Sequence, residues 1–143
     1  TAISHGNANS RGLGNIGRKL ADEINMVIGA LIFRDQEYAI LKEFDYEIYC
    51  EDPTVQVIDI RSASLAIALL LNNIKRILLG KSPLVAAAAT GRVLPDGSVD
   101  QVDFLASKEE ALKKNEPVRC FLTYEDISDL GQLNDIVNAL AEK

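Results

Sequence analysis

From Ile16 onward, apolar residues recur at intervals of three and four: Ile16, Leu20, Ile24, Val27, Ile28 and Leu31, with Arg18, Lys19, Asp22 and Glu23 on the opposite face. That period predicts one long amphipathic helix, with Asn15 placed to cap its start. A shorter helical stretch is predicted over about Asp35–Lys42. The period then changes. Phe44, Tyr46, Ile48 and Cys50 alternate with Asp45, Glu47 and Tyr49, which is the spacing of a strand, and Asp52-Pro53 punctuates it. Val55, Val57 and Ile58 suggest another extended segment ending at Asp59.

Between Ser62 and Leu79 the apolar positions cover nearly the whole helical circumference, with Leu65, Ala66, Ile67, Ala68, Leu69, Leu70 and Leu71 in one run. A helix of that kind is expected at the centre of a fold, and Gly80 is suited to end it. Leu84–Ala89 predicts a buried strand of small residues. Pro95-Asp96-Gly97 predicts a turn inside a hairpin over Thr90–Val102. A helix over Phe104–Asn115, a strand over Val118–Thr123 and a last helix over Leu133–Leu140 complete the order. Strands and helices mixed in this way imply an α/β (α+β) domain. With 143 residues and no internal repeat, a single domain over 14–143 is expected, preceded by a Ser-, Asn- and Gly-rich lead-in, Thr1–Leu13, that reads as flexible.

Composition narrows the partners. Apolar residues make up 48% of the chain, enough for a core, but Trp is absent and there are only four Phe and four Tyr, so that core must be mainly aliphatic. The net charge of −6 disfavours broad contact with nucleic-acid backbones or anionic lipid. The longest apolar run, Leu65–Leu71, is far too short to span a bilayer. Cys50 and Cys120 lie in strand-like apolar runs, which favours buried free thiols and a cytoplasmic setting. Two cysteines and the lone His5 cannot build the usual four-ligand zinc site, so neither metal nor cofactor is expected in this domain. His5 itself reads as a solvated side chain. Gly12-Leu13-Gly14 with Gly17 lacks the preceding strand and the following Lys-Ser/Thr of a phosphate loop. A chain opening on Thr1 rather than Met suggests a piece of a larger protein.

Lys108 carries the most chemical information. On its predicted helix it falls on the apolar stripe, four residues from both Phe104 and Leu112. Burial there, and the positive end of the helix dipole behind a cap at Asp103, would both disfavour the ammonium and lower its pKa towards that of a general base. The competing account is a snorkelling lysine whose stem covers the core. Ser62 stands where an extended segment meets the apolar helix. A serine there is most often an N-cap, but a helix start also offers free N–H groups that could serve a nucleophile, and Ser64 is a nearby competitor. Asp59 could orient an amine, and Thr90-Gly91 closes a buried strand.

These segments resemble the proteolytic domain of Lon-type proteases. Asp59-Ile60-Arg61-Ser62-Ala63-Ser64 resembles that family's Asp-Gly-Pro-Ser-Ala-Gly element, and Thr90-Gly91-Arg92-Val93 its Thr-Gly-Glu-Ile. Val99–Leu105 aligns without a gap to the family's Val-Leu-Pro-Ile-Gly-Gly-Leu, which brings Lys108 onto the catalytic lysine. Val118–Leu122 aligns to the following strand, and Gly12-Leu13-Gly14 to the start of the first long helix. The chain departs from the pattern at Arg61 for Pro, Ser64 for Gly, Arg92 for Glu and Asp103-Phe104 for Gly-Gly.

The resemblance implies a Lon-like fold and a serine peptidase with a Ser62–Lys108 dyad arranged by Asp59 and Thr90. It also implies a polypeptide substrate, an AAA+ ATPase partner domain that would hold the ATP, and hexameric assembly. The departures touch the turns around the nucleophile and keep a second expectation open, a catalytically degenerate Lon-like domain acting as an assembly or docking module of a larger ATPase.

Overall fold

The computed structural model describes residues 8–10, 14–48, 61–102, 110 and 120–141. His5, Cys50, Asp59, Lys108, the extended segment expected at Val55–Ile58 and most of the helix expected at Phe104–Asn115 lie outside the described residues.

Helices and short strands alternate, so the chain is of the mixed α and β class expected. Strand β1 is Ala8–Ser10, and helix α1 is Gly14–Arg34. A 3-10 helix, Gln36–Glu43, follows, and then β2, Tyr46–Ile48. A 3-10 turn, Arg61–Ala63, leads into α2, Ser64–Leu78. Next come β3 (Ala87–Thr90), β4 (Arg92–Val93), β5 (Val99–Asp100) and β6 (Cys120–Thr123). A 3-10 turn, Leu130–Gln132, runs into α3, Leu133–Ala141. The strands form three pairs: β1 with β2 parallel, β3 with β6 parallel, and β4 with β5 antiparallel.

Several boundaries differ from the sequence expectation. Ala8–Ser10, inside the segment read as a flexible lead-in, forms a strand, because β2 supplies ladder partners that a polar composition cannot advertise. Helix α1 begins before Asn15, which is therefore a helical residue and not the cap. The stretch after Arg34 is a 3-10 helix whose N-cap is Asp35; the Asp35 carboxylate accepts from the Glu37 N–H at 3.0 Å.

The strand expected at Leu84–Ala89 starts only at Ala87, and Val85 is 68% exposed. The cause lies in α2. Asn73 donates its side-chain amide to the Leu84 carbonyl at 2.8 Å and accepts the Leu84 N–H at 2.9 Å, so Leu84 pairs with a helix side chain instead of a strand. Ala86, at φ +54, then turns the backbone out of the extended region before β3 begins.

Helix α2 ends as its sequence predicts. Gly80 sits at φ +76, its N–H bonds the Ile77 carbonyl at 3.0 Å, and the Lys81 N–H reaches the Arg76 carbonyl at 2.8 Å, a Schellman closure. The hairpin turn is likewise as expected. The Gly97 N–H returns to the Leu94 carbonyl at 2.9 Å, and Asp96 accepts from both the N–H and the hydroxyl of Ser98.

The core is one aliphatic cluster. Val27, Ile28 and Leu31 of α1 meet Leu65, Ala68, Leu69 and Leu71 of α2, and Val93, Leu122, Ile127, Leu130 and Val137 close around them. Helix α2 is central on one side only. Leu70 is 60% exposed and Ile77 58%, so the helix expected to be buried all round keeps an open apolar stripe.

Arg34 clamps the end of α1 to the far loop. Its Nε donates to Asp129 Oδ1 at 2.9 Å and its Nη2 donates to Oδ2, a two-point fork. This bond, joined by the Gly131 N–H, holds the Asp129 carboxyl below the usual carboxylate range. A depressed carboxylate contributes stability above its unfolded pKa of about 3.9, and that stability is lost as pH falls through the lower folded value. Asp129→Asn keeps the cap on Gly131 but loses the charge. The loss of stability on acidification below about pH 4 should therefore be shallower in this variant than in the parent, as measured by urea midpoints across pH. Equal slopes would show that the clamp contributes nothing.

At the other end of α2, burial pushes the Tyr38 phenol up to about 12, partly opposed by the Asn72 amide hydrogen bond and reinforced by Asp35 and Glu37. The fold thus favours the neutral phenol. Its contribution is intact below the unfolded value of about 10 and is lost as pH rises towards the folded one. Burial raises the Tyr46 phenol as well, but an absorbance titration should show a phase near pH 12 that Tyr38→Phe removes.

Candidate functional site at the Ser62 turn

The 3-10 turn Arg61–Ala63 places Ser62 at the mouth of α2, directly beside the end of β3. The Ser62 carbonyl accepts the Gly91 N–H at 3.2 Å and the Thr90 hydroxyl at 3.3 Å. In return the Gly91 carbonyl accepts the Leu65 N–H at 3.1 Å and the Ser64 hydroxyl at 3.1 Å. Ser64 Oγ then accepts the Val93 N–H at 2.7 Å. The start of α2 and the segment Thr90–Val93 are therefore joined residue by residue.

Gly91 is required by this close approach. A Cβ there would stand 2.9 Å from Leu65 Cδ2 and 2.9 Å from Val99 Cγ1, closer than real side chains pack.

This network separates the two candidate serines. Ser64 is 0% exposed and its hydroxyl bridges two backbone groups, so no substrate can reach it. Ser62 is half-buried, and it is not the cap that its position suggests: the N-cap of α2 is Ala63, with no side-chain cap bond. Thr90, 6% exposed, touches the Ser62 backbone and so fixes where the turn sits. Of the four sequence-predicted site residues, the structure brings Ser62 and Thr90 together, while Asp59 and Lys108 lie outside the described residues. Arg92, where the resembled family carries Glu, is exposed on β4.

A second polar centre escaped the sequence reading. Lys75 is 4% exposed. Its Nζ lies 3.6 Å from Glu37 Oε2, 3.9 Å from Asp35 Oδ2 and 4.1 Å from the centroid of the Tyr38 ring, and it donates to Asn134 Oδ1 at 3.4 Å. Asn72, fully buried, donates to Tyr38 Oη at 2.7 Å and to Asn134 Oδ1 at 2.8 Å. Its own Oδ1 is buried with no partner among the described residues.

The signal that finds Lys75 is the one applied to Lys108. It falls on the same helical stripe as Ala68, Leu71 and Asn72. It cannot serve Ser62, however. Eleven residues separate Ser64 from Lys75, which is about 16 Å along a helix.

Among the described residues no group of His, Cys, Asp and Glu is arranged to hold a metal ion, and no helix is long and apolar enough to cross a membrane. Cys120 is a free, half-buried thiol whose pKa burial pushes up. No protein-family model matches the chain, and no curated protein matches it in sequence.

Removing the Ser64 hydroxyl leaves the Val93 N–H without an acceptor inside the core. Ser64→Ala should cost about 1–3 kcal/mol of stability in urea unfolding, whereas Ser62→Ala should change it by less than about 0.5 kcal/mol. Equal costs would mean that the two hydroxyls are not divided into a structural and an accessible one.

Proposed function

We propose that this chain is a serine peptidase domain of the Lon type, in which Ser62 is the nucleophile and Lys108 the general base. The observation that carries the reading is the Ser62 turn. A half-buried hydroxyl at the mouth of a buried helix is held in place through its own backbone by Thr90 and Gly91, while the neighbouring Ser64 is committed to structure.

In this reading neutral Lys108 Nζ takes the proton of Ser62 Oγ, and the oxygen attacks a peptide carbonyl. The Leu65 N–H is held by Gly91, so the developing oxyanion falls to the backbone N–H groups at Ser62 and Ala63. The protonated lysine then gives its proton to the departing amine, leaving an acyl group on Ser62. Water, deprotonated by the same lysine, hydrolyses that ester and restores both groups. Asp59 orients Lys108 and Thr90 positions the nucleophile turn. The polypeptide substrate would be delivered by an AAA+ ATPase partner that binds ATP, in a hexameric ring.

The departures at Arg61, Arg92 and Asp103-Phe104 favour a second reading, in which the same fold is an assembly or docking module of a larger ATPase. A fluorophosphonate probe on the assembled protein distinguishes the two. Covalent labelling at Ser62, lost in Ser62→Ala and reduced at least about a thousandfold in rate in Lys108→Ala, is the result expected of the peptidase. A folded assembly that takes no label, or a Lys108→Ala variant that labels as fast as the parent, removes the dyad and leaves the module.

A further inference from the structure

The far end of α2 carries a charge that no ion pair among the described residues neutralises. Arg76 is 7% exposed. A guanidinium cannot shed its proton, and burying it is unfavourable unless it is hydrogen-bonded and paired. Its Nε donates to the Ser82 carbonyl at 2.7 Å and its Nη1 donates to Asn138 Oδ1. Both acceptors are neutral. Among the described residues the ion pairs are those of Arg34 and Lys75, and none involves Arg76.

Arg76 instead borders a cavity of about 430 Å³, lined also by Lys81, Ser82, Asn138 and Ala141. That volume lies within the roughly 300–1,000 Å³ of small-ligand pockets.

Helices α2 and α3 both end at this cavity, and cations are favoured at helix C-termini without any ligand. The balance does not close on that basis. The carbonyls of Lys75, Arg76 and Ile77 already accept N–H groups from Leu79, Gly80 and Lys81, so the end of α2 is satisfied internally. What is left is the end of α3, worth about half an elementary charge, against the two full charges of Arg76 and Lys81. Among the described residues that line the cavity, Arg76 and Lys81 are positive and none is a carboxylate.

We propose that the Arg76–Lys81 cavity binds a phosphoryl group, as the free ion or on a phosphorylated small molecule. Arg76, with two of its nitrogens already bonded to Ser82 and Asn138, keeps its remaining guanidinium N–H groups for a ligand, and Lys81 adds a mobile point charge. Ser82 and Asn138, whose side chains can both donate, line the same wall. The net charge of −6 opposes an extended nucleic-acid backbone, which restricts the ligand to a compact one. This site is independent of the peptidase reading, because Arg76 lies twelve residues along α2 from Ser64, about 18 Å.

The test is an NMR titration of the isotopically labelled chain with inorganic phosphate, and separately with glycerol phosphate, at ionic strength held constant with sodium chloride. Saturable shifts confined to the amides around Arg76, Ser82, Asn138 and Ala141 are expected. Binding should weaken about fivefold to tenfold in Lys81→Gln, an exposed substitution that leaves the fold intact. Arg76→Gln should abolish binding, and should that variant unfold, Lys81→Gln decides alone. Tighter binding of the ester assigns the site to a phosphorylated small molecule, and tighter binding of phosphate to the free ion. Shifts that do not saturate, acetate acting as strongly as phosphate, or Lys81→Gln binding like the parent would each overturn the proposal.

Discussion

The buried hydroxyl of Ser64 is the contact on which the described structure turns. It donates to the Gly91 carbonyl and accepts the Val93 N–H, and so ties the first turn of the central helix to the crossing between β3 and β4. A net hydrogen bond is worth only about 1 kcal/mol, but the Val93 N–H would cost about 1–3 kcal/mol if buried alone, while the Gly91 carbonyl keeps the Leu65 N–H. The arrangement is therefore held more by what it avoids than by what it gains. It also requires a glycine at 91, since any Cβ would collide with Leu65 and Val99. Serine at position 64, where the resembled family has glycine, is accommodated because its hydroxyl is fully employed.

The opposite end of α2 is organised by polarity instead of aliphatic packing. Asn72, Lys75 and Arg76 are all buried and reach Tyr38, Asn134 and Asn138 on two other elements. Such a network specifies which helix faces meet, because each amide has few geometries that satisfy its partners. It is not fully satisfied. Asn72 Oδ1 has no partner among the described residues, and Arg76 has only neutral ones. The two ends thus differ in kind. One fixes a turn by backbone exchange, and the other holds cations close to the core.

That division bears on function. In the proposed reading a base for Ser62 comes from an element that reaches the mouth of α2, and Lys75 is excluded by helix length alone. The proposed base, Lys108, comes from between β5 and β6, and β6 is the parallel partner of β3, whose last residue, Thr90, positions Ser62. The Ser62 turn is therefore bonded to β3, whose parallel sheet partner β6 follows Lys108 in the chain.

By itself the sequence determined that helices would follow Ile16, Ser62 and Leu133 and that Tyr46–Ile48 and Cys120–Thr123 would be extended, because periods of 3.6 and 2 are local properties of side-chain direction. The ends of α2 at Gly80 and of the hairpin at Gly97 were legible for the same reason, as each needs a residue type that only its own backbone dictates. Ser62 and Thr90 could be named from their motifs, but their relation could not. Only the tertiary structure decided that Ser64 is structural, since burial depends on what packs across from it. It alone also showed that Leu84 pairs with Asn73 instead of a strand, that α2 keeps an open stripe at Leu70 and Ile77, and that Lys75 and Arg76 are buried cations. Each of these is set by a partner distant in sequence, and no local pattern carries the position of such a partner.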